Sequence, residues 1–365
     1  MNRTDVNAHL HTPYSFSAFK DVRQALDMAA AEGVKVVGIN DFYSMDGYSE
    51  WKEECGKRRL FPLFNIEFIS LNAEDQAAGL RVNDPNNPGR TYLSGKGLAY
   101  PVILKGREAE MLAAVKAESN AQVAAMCDKL NDHLDALKAG FKLDFAQIRA
   151  TLTRGSIRER HLATALRLAV EAGVPEAQRL AFYEMLFGGK AVKSGLDNAA
   201  GLENEIRSNL LKSGGAAFVP EDPKAFLPME TVQRIIEAAG GIPTYPFLAD
   251  DAKGNFTDFE GDLQKAADTL KKRGFRSVEF ITTRNTTAVL EQYASYLEDE
   301  GFAVTFGSEH NTPAMEPIKL RTRDCADLSE KLKDINYRGA CRVAAHQAGL
   351  EGVDAGDEII TKAIA

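Results

Sequence analysis

Two histidines one residue apart, His9 and His11 in VNAHLHTP, are the first residues of the chain with chemistry to offer. On a strand the side-chain period of two turns both rings to one face. Two ligands of one ion need that arrangement, because imidazole nitrogens must converge to about 2 Å from the metal. The plain alternative is a pair that only caps a strand end. Glu67 weighs against it: this carboxylate sits in the apolar run LFNIEFISL, where burial without a cation or hydrogen-bond donors is costly. So does TFGSEHNTP, where an apolar run passes Gly307 into Ser308, Glu309, His310 and Asn311. With the strand ending at Asp41 in GINDF, four strand ends carry groups able to face one centre, as at the C-terminal rim of a β/α barrel.

The surrounding sequence has the elements such a rim requires. VNAHLH, VKVVGIND and LFPLFNIEFISL are apolar runs alternating with the helical patterns DVRQALDMAAAEG and SEWKEECGKRR, the rhythm of buried parallel strands and crossover helices. The rhythm returns in GGIPTYPF, FRSVEFIT and FAVTFGSEH, and Gly33, Gly274 and Gly301 stand where helix-ending glycines belong. These segments predict a barrel from residues 1–100 and 231–320. Residues 72–97 read as a long loop and GLAYPVIL as a further barrel strand. Between the halves, 101–230 reads as a mainly helical insertion, with helices expected near 107–139, 158–172, 175–187 and 200–212. Residues 321–365 are expected to form a helical segment packed on the barrel.

Composition excludes some functions. The net charge of -8, with no blocks of Arg or Lys, argues against nucleic acid as the main partner. No apolar run is long enough to span a membrane, and MNRTDV carries no apolar leader, so the expected location is the cytoplasm. The four cysteines lack metal-finger spacing.

In this order, His9-x-His11, Asp41, Glu67 and Gly307-Ser308-Glu309-His310 resemble the PHP superfamily of polymerase and histidinol phosphatase-like proteins. The resemblance covers about 1–70 and 235–315. It implies a distorted (β/α)7 TIM-like barrel of PHP type holding up to three divalent metals, commonly used in phosphoester hydrolysis. By that resemblance His9, His11, Glu67 and Glu309 are the expected metal ligands. Aligning GSE puts Asn311 at the last ligand position, whereas aligning His310 puts Ser308 in the acid position. Phe42 replaces a usual histidine, Tyr245 another, and no histidine follows YLSGKGLAY. A phenyl ring cannot ligate a metal and a neutral tyrosine ligates poorly. The expectation is therefore one divalent ion, Zn, Mn or Fe.

Asp41 is expected to be a general base or to hold the second nitrogen of a liganding histidine. His310 is a candidate ligand or acid/base, while Tyr245, Glu279 and Asn311 are candidate substrate contacts. In the insertion, TRGSIRERHLATAL resembles a helix start that approaches phosphate in some members, which nominates Arg160 and His161 with Arg154 and Arg158 beside them; guanidinium suits phosphate or carboxylate. Lys96 is a further candidate anion contact in a glycine loop. The leading expectation is a hydrolase using metal-activated water on a small phosphorylated molecule. The competing ones are hydrolysis of a non-phosphate substrate and a non-catalytic binding protein. Oligomeric state stays open.

Overall fold

A computed structural model describes residues 3–311 and 315–365. Its sheet contains β1 (Asp5–Leu10), β2 (Val34–Phe42), β3 (Phe61–Leu71), β4 (Arg90–Lys96), the short β5 (Leu227–Pro228), β6 (Ile242–Phe247), β7 (Ser277–Ile281) and β8 (Ala303–Gly307). Seven strands follow one path, β1-β2-β3-β4-β6-β7-β8, with β5 paired to the end of β3. The result is a nearly closed, distorted TIM-like barrel with helices outside.

Local chemistry sets the helices. Asp21, Asp262, Thr286 and Ser329 each accept a backbone N–H at a helix start, and Gly33, Gly274 and Gly301 take positive φ just past helix ends. The apolar faces of Val22–Ala31, Met229–Ala238, Leu263–Lys272 and Thr287–Asp299 bury against the strands in one large core.

One strand departs from the expected parallel order. β4 is antiparallel to both β3 and β6. GLAYPVIL is not a strand, and the pairing instead uses RTYLSGK, inside what reads as a loop. Pro101 lacks a ladder N–H, which disfavours GLAYPVIL in mid-sheet. The segment between β3 and β4 holds only the short helix Ala73–Ala77, too little for the crossover a parallel strand requires, so the chain doubles back. Lys96 consequently pairs with Ile242, the first residue of β6, at the end of the barrel away from the rim.

The helices Gly106–Ala136, Phe145–Leu152, Glu159–Gly173, Glu176–Leu186 and Ala199–Ile206 enclose a second core around Leu130, Leu162, Leu166 and Ile206. Among the described residues, no helix is long and apolar enough to cross a membrane.

The seam between β1 and β8 has only a bridge at Leu10 and Glu309, where His11 N–H reaches Glu309 O at 2.8 Å. Below it, buried Asn336 on the helix Glu330–Gln347 completes the closure. Its amide donates to Val6 O at 3.0 Å on β1, and its oxygen accepts Phe306 N–H at 2.8 Å on β8. Asn336→Leu strands both groups, each worth about 1–3 kcal/mol. Urea denaturation should show a loss of at least about 2 kcal/mol, and an unchanged midpoint would show that the seam does not depend on this side chain.

Candidate metal centre

Inside the mouth of the barrel, His9 on β1, His11 just past its end and Glu67 on β3 bring three donors together. His9 Nε2 lies 3.4 Å from His11 Nε2, and His11 Nε2 lies 3.2 Å from Glu67 Oε2. All three side chains are buried, and their ligand atoms lie within 4.8 Å of one another. Two nitrogens bound at 2.0–2.1 Å to a tetrahedral ion sit about 3.3–3.4 Å apart, so the spacing suits one ion. Gly307 permits the packing around it, because a Cβ there would come within 2.2 Å of His9 Cβ.

Each ring has its other nitrogen committed. His9 Nδ1 lies 3.0 Å from Glu279 Oε2. His11 Nδ1 lies 3.3 Å from Ser15 Oγ, whose hydroxyl donates to Asp41 Oδ1 at 2.6 Å. With Nδ1–H as donor in both rings, both Nε2 lone pairs face the same point, the tautomer a metal ligand needs. Burial pushes His11 down to about 4 against the pull of Asp41, so the ring is neutral at neutral pH. Burial also pushes Glu67 up to about 8, opposed by His9; a nearby cation works the other way, favouring the carboxylate. Asn40 Nδ2 lies 3.1 Å from His9 Nδ1 and 3.0 Å from His9 Nε2, so its amide faces the lone pair a metal would take, and its Oδ1 is buried without a hydrogen-bond partner. The donor set and its spacing fit a divalent ion.

Several expected residues are placed elsewhere. Glu309 stands at the rim but outside the cluster; Arg284 Nη2 grips its two oxygens at 2.7 and 2.8 Å, and Asn311 donates to it at 2.6 Å. Glu309 and His310 both have positive φ, 63° and 53°, which turns the chain sharply after β8. His310 therefore stacks on Phe19 with its nitrogens engaged by Ser308 Oγ and Glu316 O, both at 2.8 Å. Neither nitrogen is turned to the three-donor cluster. Tyr245 points away as well, donating to Glu260 at 2.7 Å among Phe247, Phe259 and Phe275. Asp41 is fully buried, with its oxygens taken by Thr12 and Ser15. It supports His11 rather than facing substrate. Glu279 and Lys96 pair beneath the cluster, so neither reaches a ligand at the mouth, and the glycine-loop expectation for Lys96 is corrected.

Above the cluster, a cleft of about 770 Å³ opens between the barrel and the insertion, with Phe16, Phe42, Glu67, Arg158, Arg160 and Arg284 in its lining. The Arg158 guanidinium lies over the Phe42 ring, 4.8 Å from its centre, and donates to Ser119 Oγ. Arg160 lies over Phe16 at 5.5 Å, its Nη1 buried without a partner. Burial and the neighbouring Arg207 push it down to about 10, still charged at neutral pH. Arg154 instead pairs with Glu50 at 2.8 Å, outside the cleft. His161 caps its helix, Nδ1 accepting Arg158 N–H at 2.9 Å. Sequence reasoning missed Arg284, Ser94 and Asn40. Arg284 lies just beyond β7, a strand exit on the same rim, and that position was its available signal.

No family model matches the chain, and no curated protein does. Solved structures do. A candidate metal-dependent phosphoesterase from Bifidobacterium adolescentis is 15% identical with a TM-score of 0.59, covering 91% of this chain and 95% of that one. An amidohydrolase from Chromobacterium violaceum, solved with bound sulfate and no metal, is also 15% identical with a TM-score of 0.53, covering 91% and 96%. The chain shares their fold. At this identity the likeness is one of architecture, and the chemistry must be argued from the cluster and cleft.

His161 gives this region a pH signature. Burial pushes its pKa from 6.5 down to about 4. A depressed histidine stabilises the fold above its free value and loses that contribution as the pH falls toward the folded one. The stability gap between wild type and His161→Gln should therefore shrink between pH 7 and 4.5 in denaturant titrations. A constant gap would contradict a buried neutral ring.

Proposed function

We propose that this protein is a metal-dependent hydrolase of a small phosphorylated molecule, working at one divalent ion held by His9, His11 and Glu67. The observation that carries the reading is the convergence of those three donors, one of which, Glu67, lines a cleft that also presents Arg160 with an unpartnered nitrogen. Zn, Mn and Fe all accept two imidazoles and a carboxylate. When bound, such an ion supplies Lewis acidity and lowers the pKa of water toward neutrality.

The chain's own residues do the rest. Arg160 offers a forked donor to a phosphoryl group, and Arg158 from the insertion and Arg284 from the barrel rim add positive charge to the cleft lining. Phe42 and Phe16 carry the guanidinium groups of Arg158 and Arg160 on their ring faces at the cleft. Asp41, through Ser15, and Glu279 fix the ring orientations of the two histidines. His9, His11 and Glu67 would supply three protein ligands to such an ion, a set that for zinc would leave room for water or substrate, and Glu67 connects the set to the cleft, which supports catalysis over a purely structural ion.

A second reading, hydrolysis of an amide, has support in Arg154 pairing outside the cleft and Arg158 being committed to Ser119. Phosphate release from a panel of phosphorylated metabolites separates the two. The phosphoester reading predicts turnover abolished by chelation and restored by a divalent ion. Arg160→Ala should lower kcat/KM roughly 10- to 100-fold, the worth of a charge-assisted hydrogen bond at about 1.5–3 kcal/mol. Amide cleavage without phosphate release, indifferent to Arg160→Ala, would contradict it.

A further inference from the structure

Beneath the candidate metal centre lies a second charged group. Lys96 and Glu279 are both fully buried inside the barrel, with Lys96 Nζ 2.6 Å from Glu279 Oε2. The same oxygen faces His9 Nδ1 at 3.0 Å, and Ser94 donates its hydroxyl to the other oxygen. Lys96 also donates to Ala8 O at 3.2 Å, the backbone of the strand that carries His9. The ammonium reaches this depth because β4 is antiparallel and ends under the rim.

A buried pair of this kind is weak evidence for stability, since desolvation of both charges offsets most of their attraction. Its geometry gives it another use. Glu279 without Lys96 is an uncompensated anion against His9. With Lys96 it is an acceptor whose charge is already balanced, and it needs only one N–H from His9.

We propose that Lys96 is a positioning residue for the metal centre: locked to Glu279, it fixes His9 with its proton on Nδ1 and its Nε2 lone pair aimed at the point shared with His11 and Glu67. The proposal rests on the metal reading above. In this arrangement β4, which contributes no ligand, orients one through a Lys96–Glu279–His9 chain.

The test uses Lys96→Met, which keeps the stem and removes the charge, and the double variant Lys96→Met/Glu279→Gln, which leaves no unpaired charge if the single variant folds poorly. Nitrogen-15 NMR of the metal-free, histidine-labelled proteins reads the His9 tautomer, and Zn titration reads affinity. Wild type should show His9 protonated on Nδ1 alone. Both variants should lose that single tautomer and bind Zn about 10- to 100-fold more weakly, the range for lost partners of metal ligands. The Nδ1–H tautomer and wild-type affinity retained in either folded variant would overturn the proposal. A wild type that binds no divalent ion would instead sink the metal reading, and the tautomer measurement would still decide the role of Lys96.

Discussion

Two imidazole nitrogens and a carboxylate oxygen facing one another inside a water-poor barrel repel unless something positive stands between or beside them. Much of the mouth of this protein is arranged around that constraint. His9 and His11 each hand their second nitrogen to a hydrogen-bonded acid, Glu279 directly and Asp41 through Ser15. Positive charge surrounds the group, with Lys96 below and Arg284 and Arg160 above.

The fold serves this arrangement in two places where it departs from a regular barrel. Reversal of β4 delivers an ammonium to the floor, which a parallel strand ending at the rim would not do. The seam between β1 and β8 lacks a continuous ladder, and Asn336 bridges it from the outer helix. His9, on one side of that seam, and Gly307, on the other, pack so closely that only a glycine fits.

Much of this was legible in the sequence. The His-x-His spacing and the apolar surroundings of Glu67 pointed to residues that the fold does bring together, and alternation of apolar runs with helical patterns located six of the seven strands on the path. What was not legible depended on turns and long-range pairing. The positive φ at Glu309 and His310 decides which way each side chain leaves β8, and no residue pattern announces it. Lys96 read as a loop residue because the β4 pairing depends on how the chain reverses after β3. Tyr245 kept its place on β6, but its hydroxyl found Glu260 outside the barrel, a partner fifteen residues away.

Crystals grown with metal, with anomalous scattering measured across the Mn, Fe and Zn edges, show whether the three donors hold an ion. One ion is expected, about 2 Å from His9 Nε2 and His11 Nε2, with Glu67 as its third protein ligand. Two or three occupied positions, or an ion bound through Glu309 without the histidine pair, would contradict that expectation.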